Sequence, residues 1–302
     1  NWDNEYVSLH MLQPDYQPLL GYAKAFTPGT NGKVTAEAVI AEIKSEEDMA
    51  TYRGKLRGKI VLYAPEYKVG LRFTPNAARW TDQELKESER SSPGQPADRP
   101  PVTVSRDEYE KLQRGEIPPK PVEPKKLQEF FKSEGVALLV DIGRGRGDYG
   151  TVMVGARAGS REDRSYEGAR DAMPEVVLAS EHYNRIYRIL KRGIPVTLET
   201  EVRNYLSGSD PGCYNVLGEI PGTDLKEEVV IIGGHYDSWH GGTGAVYDAS
   251  GCAVALEAAR ILKAIGAKPR RTIQVAFWTM EEGGLVGSRE YVRKHFGNPK
   301  DG

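Results

Sequence analysis

Two short apolar runs, each ending in a group of carboxylate and imidazole side chains, constrain this chain more than any other feature. The first, Val229-Val230-Ile231-Ile232-Gly233-Gly234, is rich in β-branched residues and reads as a buried strand. It leads into His235-Tyr236-Asp237-Ser238-Trp239-His240, a glycine-rich turn at 241–245, and Val246-Tyr247-Asp248-Ala249-Ser250-Gly251. The second, Ile273-Gln274-Val275-Ala276-Phe277-Trp278, ends in Met280-Glu281-Glu282-Gly283-Gly284. Between them the spacing predicts a helix over 251–265. Asp248 or Ser250 can cap it, Val254, Ala258, Ile261, Leu262 and Ile265 form one apolar stripe, and Gly266 ends it. One histidine and four carboxylates thus reach loops at the C-terminal ends of two strands. In open α/β sheets this is where ligands bind.

Imidazole nitrogen combined with carboxylate oxygen suits a divalent ion such as zinc. A lone His-x-Asp carries little weight, since loop histidines are common. Adjacent Glu281 and Glu282 after a buried strand repel one another unless a cation or proton compensates. Glycines at 233, 234, 241, 242, 244, 283 and 284 let the backbone crowd closely around a centre. The other reading of the glutamate pair is a solvated turn.

The remaining sequence places these strands in a larger frame. At 302 residues the chain is long enough for two domains. Its formal charge of −2 gives no reason to expect a nucleic-acid partner. No apolar run approaches membrane-spanning length, and the first residues do not form a signal peptide. Cys213 and Cys252 neither require nor exclude a disulfide, and two ordinary thiols are expected. Residues 1–40 read as strands and turns, expected to pair with the sheet of 229–278. Buried strands are expected at 59–63, 135–140 and 174–179, and an alternating strand at 196–202. Short helices are expected at 126–131 and 182–191, the latter capped by Ser180. Eight of the nineteen prolines fall between Pro93 and Pro124, marking an irregular insertion with charged helical pieces near 82–90 and 106–113. The glycine–arginine run at 143–148 lacks phosphate-binding spacing and reads as a solvated loop. The last third alternates strand and helix (215–220, 228–233, 251–265, 272–278, 288–295), which argues an α/β core.

At 233–239, 242–245, 249–258 and 277–288 the chain resembles the co-catalytic di-zinc exopeptidases of the aminopeptidase Y and glutamate carboxypeptidase group. The resemblance implies a three-layer α/β/α mixed-sheet peptidase core with an inserted β-rich protease-associated domain. It assigns 1–40 to the N-terminal part of the peptidase domain, 41–199 to the protease-associated domain with its proline-rich insertion at about 76–125, and 200–302 to a C-terminally incomplete catalytic core. It makes His235 a ligand of one zinc, oriented by Asp237, and Glu282 a ligand of a second. Glu281 becomes the general base that activates the attacking water. The implied partner is a peptide substrate, the implied setting secreted or periplasmic, and the implied assembly at most a homodimer.

Two departures stand out. The position of the family's bridging aspartate holds Tyr247, and Asp248 follows it; a one-residue shift of the turn would bring Asp248 to the metals. The family's remaining aspartate and histidine ligands lie well beyond position 302, while His295 comes too early and reads as an exposed helix-end residue. A fragment shortened at both ends is therefore expected. The expected activity is hydrolysis of dipeptides or of the N-terminal bond of short peptides. The alternatives are a catalytically silent receptor or binding relative, which Tyr247 favours, and a one-zinc acyl transferase of the glutaminyl cyclase kind.

Overall fold

The computed structural model of the chain describes residues 2–67, 79–89, 122–143, 166–207 and 212–297. Most of the proline-rich stretch, the helical piece near 106–113 and the glycine–arginine loop from 144 onward lie outside the described residues.

Eight strands form one mixed sheet: β1 (Trp2–Gln13), β2 (Gln17–Pro18), β3 (Gly21–Ala23), β4 (Val34–Ile40), β5 (Ile60–Leu62), β6 (Leu138–Ile142), β7 (Glu175–Leu178) and β8 (Thr197–Leu206). Their order is β2-β1-β8-β4-β5-β6-β7-β3, with β4 to β7 parallel. Side chains alternate across such a sheet, so consecutive residues supply different cores. Ile60, Leu62, Leu138 and Val140 pack with Tyr183 and Ile186 of the helix Ser180–Lys191. Val61 and Leu139 pack on the other face with Met49, Phe130 and Phe131. A parallel sheet covered on both sides gives the continuous apolar runs seen in the sequence.

The expected pairing of 1–40 with the strands of 229–278 is corrected by the ladders. β1 runs antiparallel to β8 from Trp2↔Leu206 to Gln13↔Thr197, and β4 lies between β8 and β5. The long amphipathic strands β1 and β8 satisfy one another's backbone groups, so strand pairing draws no boundary at residue 40. The helix expected from 182 starts at Ser180, whose hydroxyl donates to the Gly143 carbonyl instead of capping.

Two buried polar sites hold the eight-stranded sheet. Tyr183 is fully buried; its hydroxyl donates to the Ala64 carbonyl at 2.6 Å and accepts the Ala64 N–H at 3.0 Å. Burial pushes this phenol far above its usual range. Tyr183→Phe strands both Ala64 groups, so unfolding free energy should fall by about 1–3 kcal/mol. Denaturant titration with an unchanged midpoint would contradict this. In the second site Lys24 meets Asp141 and Glu175, the latter at 2.8 Å, and the Tyr63 hydroxyl donates to Glu175 at 2.6 Å. Burial opposes the Lys24 charge, but Glu175 and Asp141 outweigh it and hold the ammonium above its usual range.

A second sheet holds β9 (Val216–Ile220), β10 (Leu225–His235) and β11 (Arg271–Trp278), in the order β10-β11-β9. β10 and β11 are parallel and joined through the helix Ala249–Ala264, as the alternation predicts. The apolar stripe of that helix is corrected. Cys252 and Ala255 are its buried residues, while Val254 and Ile265 are 72% and 71% exposed. The helix start lies so close to β10 that a Cβ on Gly234 would come 3.3 Å from the Cys252 nitrogen, leaving room only for small side chains. Cys213 and Cys252 are both free, as expected.

Candidate metal centre

The parallel ladder sets His235 opposite Trp278, so the turn after β11 comes beside the histidine. Met280 adopts φ 50°, in the left-handed region, and redirects the chain there. The turn is held from both sides. The Glu281 N–H donates to Asp237 Oδ1 at 3.0 Å and the Glu282 N–H to Asp237 Oδ2 at 3.2 Å. On the far side Asn215 accepts the Thr279 N–H at 3.2 Å and donates to the Gly287 carbonyl at 2.9 Å.

His235 is 7% exposed. Its Nδ1 lies 2.9 Å from the Asp237 carbonyl oxygen, which can only accept, so Nδ1 carries the proton and Nε2 presents a lone pair. Nε2 is buried without a hydrogen-bond partner among the described residues and sits 3.9 Å from Glu281 Oε2. One donor atom each from His235, Glu281 and Glu282 lies within 4.8 Å of the others. Donors about 2 Å from one tetrahedral zinc are about 3.3 Å apart, so the three atoms face a common space wide enough for an ion and a water without forming a closed single-ion site. Burial pushes the Glu282 carboxyl above its usual range; a hydrogen bond from the Trp239 side chain opposes this and neighbouring Glu281 adds to it.

Of the five residues singled out in the sequence, three come together. Asp237 stands behind them: its carbonyl fixes the His235 tautomer and its carboxylate holds the glutamate turn. Asp248 does not join the group. Its Oδ2 accepts the His235 backbone N–H at 3.2 Å, and Cβ atoms on Gly234 and Gly251 would come within 2.4 and 2.3 Å of its two oxygens. The carboxylate therefore lies between the end of β10 and the first turn of the helix. It also makes no side-chain cap bond at the N-cap position it occupies. Tyr247 is 62% exposed and its ring stands edge-on to His235, with centroids 5.0 Å apart. His295 is exposed at the end of the helix Val286–Phe296.

Sequence reasoning missed two supports: Asn215 and Cys252, whose thiol donates to the His235 carbonyl at 3.3 Å.

Residues 215–301 match the profile of Peptidase family M28. Carboxypeptidase Q of Xenopus laevis is 33% identical over 130 residues, 43% of this chain and 28% of that protein. Among solved structures, a peptidase M28 precursor from Shewanella amazonensis has a TM-score of 0.64 at 22% identity, covering 98% of this chain and 56% of its own. A zinc aminopeptidase from Bacillus subtilis has a TM-score of 0.53 at 16% identity, covering 99% and 55%. At these identities the structural likeness is one of fold. The chain spans little more than a quarter of the curated relative. The likeness drawn from the motifs at 233–288 agrees with these matches, and the mixed α/β fold expected from it agrees with the structural neighbours.

Proposed function

We propose that the full-length protein is a zinc-dependent exopeptidase hydrolysing dipeptides or the N-terminal bond of short peptides, and that this chain carries part of its active site. The observation that carries the reading is the His235 Nε2 lone pair, buried, without a hydrogen-bond partner among the described residues and facing Glu281 and Glu282. The match of 215–301 to a peptidase family and the zinc aminopeptidase among the fold neighbours point the same way.

Zinc held there would supply Lewis acidity toward a peptide carbonyl and a water molecule. His235 and Glu282 would be ligands, one for each of two ions in the full-length protein. Glu281 takes the proton from the attacking water and returns it to the leaving amine. Asp237 keeps the His235 lone pair aimed inward, and Asp248 fixes the same histidine through its backbone. The eight-stranded sheet is the counterpart of the protease-associated domain, and a secreted or periplasmic setting follows from the same resemblance.

Tyr247 favours a second reading, a catalytically silent binding relative, because a phenol stands against His235 where a bridging carboxylate is called for. In the first reading, dipeptide hydrolysis by the full-length protein stops on chelation and returns with zinc. Zinc-loaded protein that hydrolyses nothing would support the second, and Tyr247→Asp then becomes the variant to assay for activity.

A further inference from the structure

We propose that Asn215 is a positioning residue for this centre: its side chain closes the neck of the loop that carries Glu281 and Glu282, and so sets where the Glu281 carboxylate stands. The proposal rests on the exopeptidase reading above. The β9–β11 ladder ends at Val216↔Phe277. The Asn215 side chain takes over where this backbone pairing stops. Its Oδ1 accepts the Thr279 N–H at 3.2 Å, and its Nδ2 donates to the Gly287 carbonyl at 2.9 Å. Thr279 and Gly287 are themselves joined, the Gly287 N–H donating to the Thr279 carbonyl at 3.0 Å. One carboxamide thus spans both ends of the loop 279–287, as a peptide group of a neighbouring strand would.

The neck is shaped to admit the amide. Gly287 is buried, and a Cβ on it would come 2.2 Å from Asn215 Oδ1 and 2.7 Å from the Thr279 carbonyl oxygen. Any larger residue there would push the Asn215 side chain out. The loop also needs closing. Met280 and Leu285, on either side of the glutamates, have φ of 50° and 61°, in the left-handed region where residues with a side chain are uncommon. Such residues persist only where their surroundings fix them. Asp237 holds the middle of the loop through the Glu281 and Glu282 N–H groups, and Asn215 holds its two ends. The backbone before Asn215 is held in turn. The hydroxyl of Tyr236, the residue after His235, donates to the Tyr214 carbonyl at 2.5 Å. The histidine and the glutamates are therefore tied to one frame, with Glu281 Oε2 3.9 Å from His235 Nε2. Displacing a reacting group by about 1 Å can cost about 100-fold in rate.

The test uses full-length protein at saturating zinc, with kcat and KM measured by dipeptide hydrolysis. Asn215→Ala should lower kcat about 10- to 100-fold. KM should stay near its unmodified value, the pattern of an interaction used only in the transition state. In a Glu281→Gln background the same change should lower kcat less than about threefold, because the group it positions is already gone. A residue that only held the fold together would act equally in both backgrounds. Should Asn215→Ala fail to fold, Asn215→Asp carries the same comparison: it keeps the size and the acceptor for Thr279 but has no donor for the Gly287 carbonyl. An unchanged kcat in Asn215→Ala, or equal falls in the two backgrounds, overturns the proposal while the exopeptidase reading stands. Zinc-loaded unmodified protein that hydrolyses nothing overturns both.

Discussion

In the full-length protein, Glu281→Gln is expected to lower dipeptide turnover on the order of a hundredfold or more while leaving zinc content unchanged. The change keeps side-chain size and hydrogen bonding but removes the group that accepts a proton, and general-base catalysis is worth about 10²–10⁴. The carboxylate sits 3.9 Å from His235 Nε2, inside the group of donors. The backbone of Glu281 is held by Asp237, so the substitution leaves the turn in place. Glu282→Gln should do the reverse, with zinc lost first and turnover lost in consequence. Full activity in Glu281→Gln, or loss of zinc from it, would show that the two glutamates have been assigned the wrong way round or that neither carries the proton.

The largest expected effect on stability is at Lys24. Its side chain is 10% exposed and Glu175 is 2% exposed, so Lys24→Met leaves a buried carboxylate without its cation. Removing one partner of a buried pair costs about 3–5 kcal/mol, a large share of a domain's usual 5–15 kcal/mol. The double variant Lys24→Met/Glu175→Gln should recover much of the loss, because the amide can still accept from the Tyr63 hydroxyl. Denaturant melts of the three proteins decide this. A Lys24→Met midpoint equal to the unmodified one, or a double variant no more stable than the single, would mean that water or the exposed side of Asp141 compensates.

The parts of this fold written in local pattern were legible in the sequence. Strands β5, β6 and β7 are apolar runs because both of their faces are covered, whereas the apolar run Val229–Ile231, expected to be buried, is exposed; the helix Pro124–Glu134 ends at a left-handed Gly135 just after the expected amphipathic piece. Partnership between distant segments was not legible. Nothing in residues 2–13 tells that their hydrogen bonds go to 197–206 and not to the strands after 215. The outward stripe of the helix Ala249–Ala264 misleads for a similar reason: periodicity identifies an apolar face but not which face meets the sheet, and the close approach at Gly234 decided it. At the site, the meeting of His235, Glu281 and Glu282 was readable because two parallel strands end side by side. Asp248 was not, since a carboxylate that could reach a metal could equally take a nearby backbone N–H, and here it takes that of His235. Asn215 acts through two hydrogen bonds across long sequence separations, which no spacing rule reveals.

The central claim is that His235 Nε2 is a zinc ligand, and zinc affinity of full-length protein against its His235→Ala variant tests it most directly. The account predicts that the variant folds, losing only the Nδ1 hydrogen bond to the Asp237 carbonyl in a turn still held by Asp237 and Asn215, and that it binds zinc more than about a hundredfold more weakly, beyond what loss of an outer partner costs. Equal zinc affinity in the two proteins would contradict it.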